Sequence, residues 1–241
     1  MPIPLKQVMK IGTYVMWQKL KGQERYPLVL MLEPLFRCNL ECIGCGKIQK
    51  PNEILNKNLT PDQCLDAANE CDAPVVSIAG GEPLMHPQIV EIVEGLIKQK
   101  RYIYLCTNAL LLKNFIGKLP ISPFLTLSIH LDGLEDDHDR IVDKKGVFKI
   151  ALESIREAKK MGYRVTSATT FFEGTTVEQA ETFLDFLNPL GLDGVTLSSA
   201  FRYPDAPDQD HFFGRKRTQE FFKELLEKNK KGRWDISHSP L

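Results

Sequence analysis

Three cysteines, Cys38, Cys42 and Cys45, lie within eight residues as C-x3-C-x2-C, directly after the apolar run 28–32. Thiolates at this spacing can wrap one metal centre on a loop. Structural zinc takes four ligands, usually as two pairs separated by a loop. No second pair follows, because Cys64 and Cys71 stand seven apart on one helical face, where packing is the simpler role. An electron-transfer cluster also takes four thiolates. Three cysteines leave one iron of a cubane without a protein ligand, and an open iron is a place for chemistry.

Other polar groups gather where apolar runs end. Ala79-Gly80-Gly81-Glu82-Pro83 closes the run 74–79. Its two glycines let a backbone approach a ligand closely, with a carboxylate beside them, although a plain strand-to-helix turn has the same composition. Cys106 ends the run 102–106, and its thiol is either a chemical group facing a ligand or a small buried hydrophobe. Glu33 is an acid at an otherwise apolar strand end, placed to hydrogen-bond substrate or the cysteine loop, or to be satisfied structurally. His130 and His138 are titratable, but read as structural or cofactor-adjacent.

These residues need a scaffold that brings strand ends together. Strand-like runs at 28–32, 74–79, 102–106, 124–130, 164–170 and 195–198 alternate with helix-like segments at 61–71, 87–100, 110–119, 148–161, 177–187 and 218–228. Thr60, Pro61 and Gln63 supply the cap, first-turn proline and capping-box position of the first of these helices, and Gly162 closes the fourth. Six βα units in alternation predict an α/β fold with a parallel sheet and right-handed crossovers. Ligands then gather at the carboxyl ends of the strands. Ahead of the sheet, Leu5, Val8, Met9, Gly12, Val15, Met16 and Leu20 share one face of an amphipathic helix. That stripe either caps the bottom of a barrel or lies in an anionic membrane interface. The expected organisation is 1–27 as helix and linker, 28–229 as the core, and 230–241 as a basic carboxyl-terminal tail.

Composition narrows the function classes. The 241 residues are 43% hydrophobic, and 31 basic residues balance 31 acidic ones, so a globular core is expected and no broad footprint for nucleic acid exists. No apolar run approaches the roughly 18 residues of a membrane-spanning helix. Lys6, Lys10, Lys19 and Lys21 break up the only candidate signal core, which points to a cytoplasmic protein, with peripheral contact on the inner face of a membrane as the lipid-facing alternative. In a reducing compartment six cysteines read as ligands, reactive thiols or packing before they read as disulfides.

The cysteine triad together with Gly80-Gly81-Glu82-Pro83 resembles the radical S-adenosylmethionine (SAM) enzymes. The resemblance implies a partial (βα)6 TIM-like barrel and a [4Fe-4S] cluster held by Cys38, Cys42 and Cys45. It also implies that SAM chelates the free iron through its amino and carboxylate groups and is cleaved by one electron to a 5'-deoxyadenosyl radical. Gly80, Gly81 and Glu82 would meet the methionine amino group, and Thr107-Asn108-Ala109 resembles the family's TNG turn, with Asn108 beside the cofactor. Ser128 is implied as a ribose or carboxylate contact, although the S-x-x-x-D-G spacing runs two residues longer than the family's. Val142 stands where relatives often carry arginine, leaving Arg140 as the candidate grip on the SAM carboxylate. Ala168 replaces a common asparagine, so Thr169 and Thr170 are the polar candidates on the fifth strand, with Ser198 and Ser199 toward the adenosine on the sixth.

A closer resemblance, to the hopanoid-biosynthesis radical SAM proteins that make adenosylhopane, runs through Leu20-Lys21-Gly22, the stretch 31–40, Gly44 to Gln49, Leu105 to Leu112 and Ala206-Pro207-Asp208-Gln209. Relatives of that group continue well past residue 241. The resemblance implies an adenosyl-transferring enzyme that adds the adenosyl radical to the alkene of a hopene such as diploptene. Cys106 would then quench the resulting radical, and an external one-electron donor such as flavodoxin or ferredoxin would feed the cluster. Competing readings are hydrogen abstraction from a peptide or small molecule, a non-enzymatic iron-sulfur carrier, and a zinc module.

Overall fold

The structure, a computed structural model, describes residues 3–206 and 209–238. Pro207 and Asp208, part of the resemblance above, and the last three residues of the expected tail lie outside the described residues. Strands β1 (Val29–Leu32), β2 (Val75–Ile78), β3 (Tyr102–Thr107), β4 (Leu125–His130), β5 (Arg164–Phe171), β6 (Val195–Ser199) and β7 (Ile236–His238) form one sheet in sequential order. Every pairing is parallel. The sheet curls into an open half-barrel, the partial TIM-like barrel expected from the alternation. Helices α1 (Leu5–Leu20), α2 (Asn52–Leu55), α3 (Pro61–Cys71), α4 (Ile89–Lys98), α5 (Glu135–Ile141), α6 (Val147–Lys160), α7 (Val177–Leu187) and α8 (Arg215–Lys228) complete the order.

Alternation along each strand separates two environments. Ile103, Leu105, Leu125, Leu127, Ile129 and Val165 point outward and pack with Ile92, Leu96, Ile155 and Phe183 of the helices into one core. The residues between them, Tyr104, Cys106, Thr126, Ser128 and His130, point into the barrel. Helix α3 starts where its cap predicts: Thr60 and Gln63 exchange reciprocal bonds of 2.8 and 3.2 Å, and Thr176 and Gln179 repeat the motif on α7.

Three expectations change and one helix is added. The weak pattern at 110–119 yields only a single 3-10 turn at Leu112–Asn114, anchored by buried Leu112 and Leu119. The chain 135–141, whose first turn is acidic as a helix start favours, forms α5. The basic tail is part of the domain: Arg233 pairs with Glu181 and Asp185, buried Trp234 donates its indole N–H to Asp185 at 2.9 Å, and Ile236–His238 adds the seventh strand beside β6. Helix α1 sits at the amino ends of the strands, but with the opposite face inward. Gln7 donates to the Tyr104 hydroxyl at 3.2 Å, Lys10 reaches the Lys100 carbonyl and lies over the Tyr102 and Phe124 rings, and the apolar stripe faces outward.

The last helix is held by aromatic packing. Phe221 is fully buried, with Phe171, Phe213 and Phe222 at centroid distances of 5.1 to 5.4 Å. Replacing Phe221 with Ala removes most of that cluster's centre and should lower stability by about 3–5 kcal/mol. An unfolding free energy from urea titration lowered by less than about 1 kcal/mol would mean α8 is not a structural member of the barrel.

Candidate active site at the carboxyl ends of the strands

The site begins with a close backbone approach. Gly80 has φ of 110°, and a Cβ there would sit 2.2 Å from the Leu35 carbonyl oxygen. A Cβ on Gly81 would lie 2.0 Å from the Arg37 carbonyl oxygen and 2.5 Å from that of Phe36. The space is filled by a short backbone ladder: Ala79 N–H donates to Leu32 at 2.9 Å, Gly81 N–H to Leu35 at 3.0 Å, and Glu82 N–H to Arg37 at 3.0 Å. The two glycines therefore admit the chain that leads into Cys38, rather than leaving the backbone bare for a ligand.

Glu82 braces the same region from beneath. Its carboxylate is buried and accepts from Thr107 Oγ1 at 2.7 Å, from Leu84 N–H at 3.0 Å and from Asn108 N–H at 2.8 Å. Burial pushes its pKa up, and the three donors oppose that shift. Asn108 carries the connection on: its amide donates to Asn39 Oδ1 at 2.7 Å and approaches Cys38 Sγ at 3.8 Å. The ends of β1, β2 and β3 are thus joined in one network directly below the cysteine loop.

That loop is seated on an apolar patch. Leu40 packs with Val142 and Val147, and Cys38, Cys42 and Leu110 pack against them. Ile43 N–H donates to the Ile141 carbonyl at 2.9 Å, so α5 holds the loop's far side. Val142 is fully buried here, which gives it a packing role. The thiols of Cys38, Cys42 and Cys45 are partly exposed and open onto one cavity of about 440 Å³ together with Gly80, Gly81, Glu82, Asn108, Cys106, His130 and Thr170. Among the described residues no three ligand-type side chains converge on a single point, as one tetrahedral zinc would require. Three cysteines on one cavity leave a fourth corner of a cubane without a protein thiolate. Burial raises the Cys38 and Cys42 pKa values, so loading such a cluster must displace protons.

The remaining expected site residues divide. Cys106 faces the cavity with Ser77 Oγ at 3.6 Å, and Ser128, its register partner on β4, hydrogen-bonds to the same thiol. Burial holds the Cys106 pKa up, so the group is an S–H rather than a thiolate. Ser128 itself is buried and is not part of the cavity lining. Thr169 does not face the site: its hydroxyl donates to the Leu131 carbonyl at 2.7 Å on the outer side of β5, while Thr170 lines the cavity. Ser198 stands beside Thr170, with their hydroxyl oxygens 3.3 Å apart, and Ser199 is buried on the other face. Arg140 is displaced altogether, paired with Asp137 at 3.0 Å and lining a separate cleft of about 510 Å³ between α5 and α7.

Glu33 and His130 each meet a partner to which the motifs assign no role. Lys47 reaches from the cysteine loop to Glu33, so the acid at the end of β1 ties down that loop. On β4, His130 pairs with Asp132, whose other oxygen accepts from Thr170 N–H at 2.7 Å and whose N–H donates to His138 Nδ1 at 3.2 Å. Burial opposes a charge on His130, but Asp132 raises its pKa overall. The alternation that places His130 two residues beyond Ser128 was the available signal. Asp139, next to His138, instead caps α6 by accepting from Phe148 N–H at 2.9 Å.

The radical SAM superfamily sequence model matches residues 32–187, a stretch that contains the cysteine loop, the glycine turn and the first three strand ends just described. The chain belongs to the radical SAM superfamily. Membership implies a [4Fe-4S] cluster and SAM as cofactors, and Cys38, Cys42 and Cys45 are the thiols that would hold the cluster. Among curated proteins, the chain is 23% identical over 221 residues to a probable GTP 3',8-cyclase of Methanococcus maripaludis, covering 87% of this chain and 73% of that protein. It is 28% identical over 156 residues to the GTP 3',8-cyclase of Petrotoga mobilis, covering 62% of this chain and 48% of that one. Among solved structures it resembles Streptococcus suis SuiB bound to SAM, with a TM-score of 0.74 at 18% identity over 90% of this chain and 52% of that chain. Against several of these relatives the radical SAM chain described here spans about half the length.

Two outcomes follow from this geometry. Gly81→Ala must push the Leu35–Arg37 backbone away and shift Cys38 with it. After anaerobic reconstitution it should hold less than about a tenth of the wild-type iron and sulfide; full loading would show that the contact does not set the cysteine loop. His138 is buried and held neutral, its pKa pushed down to about 4 by burial and then by His130. Because the unfolded chain takes up that proton first, stability is intact above pH 6.5 and falls as pH drops toward 4, by roughly 2 kcal/mol between pH 7 and 5. Urea midpoints of wild type and His138→Asn at both pH values check this, with the variant losing the slope.

Proposed function

We propose that this chain is the radical SAM core of an adenosyl-transferring enzyme that acts on the alkene of a hopene such as diploptene, giving adenosylhopane. When bound, the cluster and SAM supply a 5'-deoxyadenosyl radical. Its C5' forms a C–C bond with the terminal alkene carbon, the π bond is consumed, and an unpaired electron is left on the tertiary carbon. Cys106 gives that carbon a hydrogen atom, and the resulting thiyl returns to thiol with one electron and one proton. An external one-electron donor such as flavodoxin or ferredoxin supplies this electron as well as the one that cleaves SAM.

The observation that carries this reading is the placement of Cys106. Its thiol opens onto the same cavity as the three cluster cysteines and the glycine turn, it is held protonated by burial, and its partners are Ser77, Ser128 and the Tyr104 carbonyl at 3.9 Å. A protonated thiol is a ready hydrogen-atom donor, which a radical addition needs and a hydrogen abstraction does not. The extended sequence resemblance to the hopanoid proteins supports the substrate class. Thr170, rather than Thr169, is the polar residue of β5 suited to the cofactor, with Ser198 beside it.

The similarity to GTP 3',8-cyclases favours a second reading, hydrogen abstraction from a nucleotide. A triphosphate calls for several free cations. Among the described residues lining the cavity, the lysine or arginine side chain is Lys47, and it is already paired with Glu33.

Reduction of the reconstituted protein with SAM and diploptene, followed by mass spectrometry, separates the two. Adenosyl incorporated into product supports addition; free 5'-deoxyadenosine in step with turnover and no adenosyl adduct overturns it. Cys106→Ala should retain SAM cleavage while losing product, by tenfold or more, or its stereochemical purity. Unchanged product would remove the thiol from the mechanism.

A further inference from the structure

The third cysteine is seated differently from the other two. Cys38 and Cys42 pack against the patch of Leu40, Val142 and Val147. Cys45 stands between two glycines, and each of these lies against aromatic rings supplied from beyond β5 and β6. A Cβ on Gly44 would come within 3.2 Å of the Phe212 ring and 3.8 Å of the Phe172 ring, and its φ of 71° also suits glycine. Gly46 is the more telling position. Its φ of −91° and ψ of −8° are open to any residue, yet a Cβ there would sit 1.9 Å from Tyr203 Cδ1 and 2.4 Å from Cε1. A methyl overlaps the ring unless the ring or the loop moves. The ring is itself held in place. Lys50, just past the 3-10 turn Lys47–Gln49, pairs with Asp205. Ala206 N–H and the Gln209 amide both donate to the Tyr203 carbonyl at 3.0 Å. On either side of this stretch, Ala200 N–H donates to the Phe171 carbonyl at 2.8 Å and the His211 carbonyl accepts from Glu173 N–H at 3.0 Å, which pins it to the end of β5.

We propose that Tyr203 is a positioning residue for the cluster: its ring, pressed onto Gly46, together with the Phe212 ring against Gly44, holds Cys45 where the third thiolate must stand. The inference rests on the reading of Cys38, Cys42 and Cys45 as the cluster ligands. Cys38 takes its place from the backbone ladder after β1, and Cys42 from the bond between Ile43 and Ile141 and the patch beneath it. The Lys47–Glu33 pair lies two residues past Cys45 and acts through a flexible four-carbon stem, whereas a ring lying on a bare Cα fixes the main chain itself. The contact also joins the loop after β1 to the segment after β6, across the mouth of the half-barrel. Its atoms are ring carbons, so the Tyr203 hydroxyl is dispensable for it.

Iron release tests this without SAM, substrate or turnover. The purified chain is reconstituted anaerobically with iron and sulfide, and transfer of iron to excess bathophenanthroline is followed by absorbance. Tyr203→Ala should release iron about tenfold faster than wild type, or more, and Tyr203→Phe at the wild-type rate. Gly46→Ala should accelerate release in the wild-type background and add little to Tyr203→Ala, because the methyl then has no ring to overlap and meets only the Ala206 nitrogen at 3.0 Å. A wild-type rate in Tyr203→Ala overturns the inference, as does equal acceleration in Tyr203→Phe. Fully additive effects of Gly46→Ala and Tyr203→Ala overturn it too, and that comparison decides even where a single variant melts earlier than wild type. Wild type that takes up no iron and sulfide fails the cluster reading and the inference with it; wild type that loads while release ignores the ring fails the inference alone.

Discussion

The close contact between the glycine turn after β2 and the chain after β1 governs the rest of the site. Two backbones approach so closely that a single methyl at Gly80 or Gly81 would overlap carbonyl oxygens of Leu35, Phe36 or Arg37. The ladder across that contact fixes the direction in which the chain leaves β1, and hence where Cys38 begins the metal-binding loop. Glu82 then converts a two-strand contact into a three-strand one by accepting from Thr107 and Asn108. A loop of cysteines has little structure of its own, because its thiols make almost no bonds before metal arrives. The strand ends supply the order it lacks.

Seen from that contact, the polar residues around the cavity fall into two groups. Glu82, Asn108, Glu33 and Lys47 spend their hydrogen bonds holding the cysteine loop. Cys106, His130, Thr170 and Ser198 face the barrel's interior from the strands that follow, with capacity left for something bound there. Apolar Val142 beneath the loop extends the same logic: the loop is seated by burial on one side and by backbone hydrogen bonds on the other. The cleft that contains Arg140 lies between α5 and α7 and meets the cysteine loop from that side, with Ile43, Ile141 and Asp132 in its lining.

The superfamily chemistry is common to proteins that act on very different molecules, and the fold alone does not distinguish them. What differs from one chain to the next is the lining of the barrel and the surfaces outside it. Here the lining carries the Cys106 thiol, held protonated by burial, and one margin of the fold carries an apolar stripe turned outward. The helix bearing the stripe is nevertheless well attached, because its polar face finds partners in Tyr104 and the Lys100 carbonyl.

By itself the sequence determined most of the element order, the strand ends as the place of the site, and the three thiols as one ligand set. Periodicity and capping are local properties, and Thr60, Gln63 and the apolar runs express them without help from the rest of the chain. Tertiary structure decided the remainder. Thr169 and Thr170 are equally polar in a list of residues, yet strand pleat sends one to the Leu131 carbonyl and the other to the cavity. Arg140 is near the site in sequence but leaves it because α5 turns its side chain toward Asp137. The segment after α8 reads from sequence as a basic tail apart from the core, and the fold brings Asp185 and Glu181 of α7 within reach of it. For α1, periodicity reveals that one face is apolar and cannot reveal which face meets the protein, since that depends on a tyrosine hydroxyl and a carbonyl some 90 residues away.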